Sequence, residues 1–281
     1  MKEEGAMGRH AKTQRIIDQA HEILAAYNPM TVRQVYYQLV SRQIIENSRS
    51  RYQAVCDALV DARLEGAISW DWIEDRLRRP RSIPMWSNLA DFAFEMRWRY
   101  NRDVWATQPQ RVELWLEKDA LSGVFGGVVG HYGVMLNVGR GYDGWSSIHN
   151  AAERWGAGRD IIVLYFGDHD PSGEDMFRSL RERLAKLNCY PSMLKVALTR
   201  EDIDRYNLPA DFTKATDTRQ KAFVAEHGDQ AVELDALPTE VLRARIVDEI
   251  ETRMDLEALA KVHELEDQER KQLVEVLRAL S

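Results

Sequence analysis

Two kinds of hydrophobic periodicity divide the chain. Over the first hundred residues, apolar positions recur at helical spacing. Ile16, Ile17, Ala20, Ile23 and Leu24 share one side of a helix predicted over 11–27, which Asn28 and Pro29 end. Thr31-Val-Arg-Gln34 is a capping-box pattern, so a second helix starts there. At about 100° per residue, Val32, Val35, Tyr36, Leu39 and Val40 form its apolar face, with Arg33, Tyr37 and Ser41 beside one another off it. Tyr36 is therefore expected to pack inward and Tyr37 to face out. A helix over 52–64, a short strand at 66–70 and a helical piece over 72–77 follow. Next come a linker from Arg79-Pro80 to Pro84 and a helix over 87–100. Helix, turn, helix and short strand fit a winged-helix module.

From residue 111 the period changes. Val112, Leu114 and Leu116 alternate with Glu113, Trp115 and Glu117, the period of a strand that Glu117 closes. Ile161 to Phe166 is an unbroken apolar run, the mark of a parallel strand buried on both faces. Strands over 111–117, 134–138, 161–166 and 193–198 alternate with helices over 120–129, 146–155 and 174–187. The fold class expected is α/β, a parallel βα sandwich with helices on both faces. Beyond residue 200 the pattern is helical and acidic, with helices over 240–253 and 256–280 whose leucines are expected to pack within the chain. Two units result, 1–105 and 106–281.

The 281 residues are 44% apolar and 30% charged, an ordinary globular balance. Cys56 and Cys189 have no partner at metal-site or disulfide spacing, which implies a reducing, intracellular setting. The N-terminus has no hydrophobic signal core, and the apolar tract over 123–139 is interrupted by His131 and Asn137, so no membrane segment is expected. A net charge of −7 argues against nucleic acid until it is divided. Residues 1–111 hold 17 Lys and Arg against 14 Asp and Glu, and the rest holds 21 against 31. In the basic part, Arg33, Arg42, Arg49 and Arg51 surround a single Glu46, and Arg76, Arg78, Arg79 and Arg81 fall together. Such groups suit phosphates or an ordinary solvated surface. Gly126, Gly127 and Gly130 lack the spacing of a nucleotide loop, so no ATPase is indicated.

Asp168 and Asp170 stand just past the carboxyl end of the 161–166 strand, the edge where open α/β sheets bind ligands. Two acids one residue apart suit a hard cation such as Mg²⁺, and Glu117, at another strand end, supplies a third oxygen donor. The plain alternative is that the aspartates cap the next helix. Tyr37 lies one helical turn from Arg33, so a guanidinium can hold a phosphate beside a phenolic nucleophile. The plain alternative there is a half-buried packing residue.

Glu117-Lys-Asp-Ala-Leu after one strand and Gly-Asp168-His-Asp170-Pro-Ser-Gly after another resemble the TOPRIM domain of topoisomerases, primases and some nucleases. Arg33-Gln-Val-Tyr-Tyr37 resembles the Arg-acid-x-Tyr-Tyr signature of the topoisomerase VI A subunit and the related meiotic double-strand-break transesterase, and Glu233-Leu-Asp-Ala-Leu237 resembles that family's tail. The likeness spans about residues 20–240, in the compact form found in bacteria and phages. It implies an N-terminal winged-helix domain and a TOPRIM-type domain with a helical C-terminal tail. It also implies Tyr37 as nucleophile with Arg33 beside it, and a Mg²⁺ site, with Mn²⁺ as substitute, on Glu117, Asp168 and Asp170. The substrate would be double-stranded DNA, held by Arg33, Arg42, Arg49, Arg51 and Lys118. The partners would be a second copy whose metal site meets Tyr37 and a separate GHKL-type ATPase subunit, in the cytoplasm at the nucleoid. Two departures stand out: His169 where the family has Gly, and Gln34 where it has an acid. A TOPRIM nuclease using water and a non-catalytic winged-helix DNA-binding protein remain the alternatives.

Overall fold

The change of period near residue 110 is the point where a helical N-terminal part gives way to a parallel sheet. The computed structural model describes residues 2–73, 83–139, 144–156, 160–210, 220–228 and 230–279. Helices α1 (Lys2–Tyr27), α2 (Val32–Ser41) and α3 (Arg49–Leu64) pack on one another. Ile23, Leu24, Val35, Leu39, Val55 and Leu59 are fully buried between them. The capping box forms as expected: the Gln34 N–H donates to Thr31 Oγ1 at 3.2 Å and Gln34 Oε1 accepts from the Thr31 N–H at 2.8 Å.

Residues 65–69 form a turn and not the expected strand. The amides of Ala67 and Ile68 bond back to the Ala62 carbonyl, with Gly66 at φ +77° turning the chain off the helix end. Among the described residues, a 3₁₀ turn at Trp70–Trp72 and a parallel bridge, Met30 to Ile73, follow. The rest of the expected helical piece over 72–77, the Arg76–Arg81 group and most of the linker lie outside the described residues. Helix α4 (Leu89–Arg99) starts on an Asn88 cap.

Among the described residues the sheet has four strands, β1 (Gln110–Leu116), β2 (Met135–Val138), β3 (Asp160–Phe166) and β4 (Ser192–Ala197), in the order β2-β1-β3-β4 and all parallel. Three helices link the strands: α5 (Ser122–Val129), α6 (Trp145–Trp155) and α7 (Pro171–Lys186). One face of the sheet (Val112, Leu114, Leu116, Leu164, Phe166) packs with Phe125 of α5 and with Leu242, Ile246 and Ile250 of a later helix. That hydrophobic cluster runs on without a break into α1–α3. The other face (Trp115, Ile161, Val163, Tyr165) packs on Ile148 and Trp155 of α6 and on Leu180 and Leu184 of α7.

Strand β1 is buried from Val112 to Leu116 because helices cover both faces of the sheet, as the expected sandwich requires. Glu113, on the α6 side, is tolerated there because Arg154 grips it with two nitrogens at 3.1 and 2.7 Å and the Asn137 amide donates at 3.0 Å.

After β4 come α8 (Arg200–Tyr206), α9 (Gln220–His227), α10 (Thr239–Glu251) and α11 (Leu256–Ala279). Helix α10 lies on α5, and α11 lies along α4. Trp105 is buried with its indole N–H on the Gly133 carbonyl at 3.0 Å, whereas Trp98 is exposed. Among the described residues, no helix is long and apolar enough to cross a membrane.

Candidate metal and phosphate site at the sheet edge

Strands β1 and β3 are neighbours, yet their chains leave in opposite directions, β1 through α5 to β2 and β3 through α7 to β4. Their carboxyl ends therefore flank a topological switch point, where open sheets leave a crevice for ligands. Glu117 follows β1 directly, its N–H bonded to the Phe166 carbonyl at 2.9 Å. Its Oε2 accepts from the Asp168 N–H at 2.9 Å. The two strand ends are thus tied to each other, and the sequence-predicted acids do come from adjacent strands.

The three acids have different duties. Asp170 caps α7, with Oδ1 accepting from the Gly173 N–H at 2.6 Å and Pro171 at the helix start, as the plain alternative holds. Asp168 is buried and turned the other way: Oδ1 accepts from the Leu234 N–H at 2.8 Å and Oδ2 pairs with Lys118 Nζ at 3.0 Å. Burial pushes the Asp168 carboxyl up, against the pull of Lys118 and the Leu234 amide. Burial also pushes Glu117 well above the usual carboxylate range, and the neighbouring Asp168 adds to it.

Glu233 and Asp235 join this cluster from the segment before α10. Lys118 Nζ lies 3.0 Å from Glu233 Oε2 and 3.1 Å from Asp235 Oδ2. Burial works against the Lys118 charge, but Asp235, Asp168 and Glu233 more than offset it and hold the ammonium protonated. Arg33 reaches the same carboxylate from α2, donating through Nε and Nη2 to the two oxygens of Glu233. Burial on its own raises Glu233, yet Lys118 and Arg33 leave it below its ordinary value. Nothing in its periodicity marked Glu233 as an ion-pair partner. Its place beside Asp235 between apolar Val232, Leu234 and Leu237 was the available signal.

Tyr37 is not where its helical wheel puts it. It is 1% exposed, as is Tyr36. The Tyr36 hydroxyl donates to Asn47 Oδ1 at 2.8 Å and accepts from the Ser48 N–H at 2.9 Å, organising the α2–α3 turn. The Tyr37 ring packs edge-on against Tyr36 at 5.2 Å, and Arg33 Nη2 donates to the Tyr37 hydroxyl at 3.5 Å. The correction has a tertiary cause. A wheel sees one helix, whereas the 234–236 turn packs on α2 and covers a second face. The other expected DNA contacts sit apart from these pairings. Arg42 is exposed at the end of α2, Arg49 is exposed in the first turn of α3, and Arg51 is half-buried there.

His169 is buried with its ring against Phe223 and His227, while its N–H and carbonyl pair with Val232 at 2.9 Å each. Burial, with Lys195 nearby, holds the imidazole pKa below its ordinary value. Its backbone pairing is what brings the 232–235 segment alongside the Asp168 loop.

For a hard divalent cation, the donors are right in kind and in charge. Glu117, Asp168, Glu233 and Asp235 lie around two cations, Lys118 and Arg33, Asp170 stands by Glu117, and among the described residues Asp235 Oδ1 is buried without a hydrogen bond. They are not right in position. Among the described residues, no group of three or more His, Cys, Asp or Glu is spaced to hold an ion, since Asp168 is committed to Lys118 and Leu234 and Asp170 to its helix cap. No protein-family model matches the chain, and no curated protein sequence matches it either.

Proposed function

We propose that the protein is a DNA strand transesterase of the topoisomerase VI A type, with Tyr37 as nucleophile. The observation that carries this reading is one unbroken polar chain from the phenol to the acidic strand end. It runs from the Tyr37 hydroxyl to Arg33, Glu233, Lys118, Asp168 and Glu117. This network supports the reading because a phosphate bound at Arg33 would be coupled both to the phenol and to the acidic strand end.

In the proposed reaction the Tyr37 oxygen attacks the phosphorus and the bond to the 3′ oxygen breaks. The phenolic proton is lost and the 3′ oxygen gains one, leaving a 5′-phosphotyrosyl link and a free 3′ hydroxyl. No water or redox partner enters. Arg33 neutralises the phosphate and holds it for in-line attack. Its own charge is secure, because Glu233 and Tyr37 outweigh the burial that opposes it. Glu117, Asp168 and Asp170 are the residues that the resemblance gives to Mg²⁺, and they would hold it only once Asp168 leaves Lys118 and the Leu234 N–H and Asp170 leaves its helix cap. Residues 1–105 are read as the winged-helix domain, and residues 106–281 as the TOPRIM-type domain with its helical tail. Double-stranded DNA is the substrate, with a second copy and a GHKL-type ATPase subunit as further partners. The test is a covalent protein–DNA adduct trapped by denaturant in Mg²⁺ and absent in Tyr37→Phe.

The burial of Tyr37 favours a second reading, a metal-dependent nuclease using water at the same acids. That enzyme leaves a free 5′ phosphate, forms no adduct, and keeps full activity in Tyr37→Phe.

A further inference from the structure

Glu233 is a carboxylate set where a phosphate is needed. The backbone on either side of it is anchored: Val232 pairs with His169 through N–H and carbonyl at 2.9 Å each, and the Leu234 N–H donates to Asp168 Oδ1 at 2.8 Å. Its side chain then takes a two-point grip from Arg33 and an ammonium from Lys118 at 3.0 Å. Arg33 comes from α2 and Lys118 from the end of β1, so these cations from distant parts of the chain converge on one anion. A planar fork plus a point charge around a single anion is how proteins hold phosphate. Arg33 Cζ also lies 5.6 Å from the Tyr37 ring centroid and 5.8 Å from that of Tyr52, so the guanidinium is held over the phenol.

We propose that Glu233 is an internal stand-in for a nucleic-acid phosphodiester: by bridging Arg33 and Lys118 it latches α2 onto the sheet edge and keeps Tyr37 covered until a DNA phosphate displaces it. The inference rests on the transesterase reading for the identity of the displacing anion. The latch itself is a statement about this chain alone. It gives the buried nucleophile a role, because a phenol that is 1% exposed is protected from adventitious chemistry until substrate arrives. It also means that apparent DNA affinity is reduced by the fraction of molecules already open.

The variant Glu233→Gln keeps the size and removes the charge, and Lys118 retains Asp168 and Asp235. The first measurement is nitration of Tyr37 by tetranitromethane, read by peptide mass spectrometry. Tyr36, whose hydroxyl is engaged by Asn47 and Ser48, serves as the internal control. The latch requires Tyr37 to react roughly tenfold faster in Glu233→Gln than in wild type, with Tyr36 unchanged. Equal rates overturn it and leave the transesterase reading standing.

The second measurement is fluorescence anisotropy with a short DNA duplex. Glu233→Gln should bind roughly tenfold more tightly, with a steeper salt dependence because Arg33 is released to meet a phosphate. Equal affinity and equal slope overturn the latch. If neither protein binds duplex at low salt, the transesterase reading fails and the phosphate mimic fails with it. Should Glu233→Gln not fold, Glu233→Asp carries the same two readouts. Its carboxylate, shorter by one methylene, cannot span both cations, and values equal to wild type overturn the latch.

Discussion

Glu117 occupies the space that a side chain at residue 167 would need. A Cβ on Gly167 would lie 2.5 Å from Glu117 Oε2 and 2.6 Å from Tyr165 Cε1. The glycine between β3 and the acidic loop is there for close approach, since the carboxylate of one strand end must lie against the backbone of the next.

Gly167→Ala is therefore expected to lose about 1–3 kcal/mol through overpacking. That is a drop of several degrees in Tm at roughly 2–4 °C per kcal/mol for a chain of this size class. Gly126→Ala in α5 is the matched control, because nothing lies within 4 Å of its Cβ. There the helical gain of about 0.5–1 kcal/mol is all that remains. Thermal melting of the two variants should move in opposite directions. A Gly167→Ala protein that melts with wild type would show that Glu117 does not sit against this loop.

Glu113 gives a double-mutant test of the sheet. Its side chain is fully buried on a face that is otherwise apolar, and Arg154 covers it from α6. Arg154→Ala leaves an uncompensated buried charge and should cost about 3 kcal/mol or more. Adding Glu113→Leu removes that charge, so the double variant should recover a large part of the loss. Chemical denaturation of the four proteins measures the coupling. Additive losses would mean that the pair does not interact.

How far these features were legible in the sequence depends on what each side chain answers to. The capping box of Thr31 and Gln34 is local chemistry, and it forms as read. The positions of Glu117 and Asp168 at neighbouring strand ends follow from an unbroken apolar run and a period of two, both of which survive folding. The burial of Tyr37 does not follow, because it depends on a turn at 234–236 that packs on α2 from almost 200 positions away. Helices on both faces of the sheet are expected from the sequence, but the Arg154 partner that lets Glu113 lie under α6 is not. Long-range ion pairs such as Arg33 with Glu233 leave no periodic trace, so the acidic segment was visible as a motif and not as a contact.

Asp202 and Arg245 provide a pH test away from the site. Arg245 donates to Asp202 Oδ1 at 2.5 Å and to Oδ2 at 2.7 Å, and the carboxylate also accepts from the Thr199 N–H and hydroxyl. Burial alone raises the Asp202 pKa, but these donors outweigh it and leave the carboxyl below its ordinary value. A carboxyl with a depressed native pKa contributes stability that is present above its unfolded pKa and is lost as pH falls through the native one. The Tm gap between wild type and Arg245→Met should be wide near pH 7 and should close as the pH falls below about 4. A gap that stays constant from pH 7 to pH 3 would rule out the pair as its source.

Metal dependence separates the acids by role. Glu117 is half-buried among like charges, and its pKa lies above its ordinary value, so without a cation its ionised form opposes folding as pH rises past the usual carboxylate range. In EDTA near neutral pH, Glu117→Gln should melt at or above wild type, because the amide oxygen can still accept from the Asp168 N–H while the charge is gone. Added Mg²⁺ should raise the wild-type Tm by mass action and leave that of Glu117→Gln unmoved. Asp170→Asn should keep its helix cap, since Asn serves that role about as well as Asp, and still lose the Mg²⁺ response. Should Mg²⁺ shift all three proteins equally, the ion is acting elsewhere on the surface, and the assignment of Glu117, Asp168 and Asp170 as its ligands is wrong.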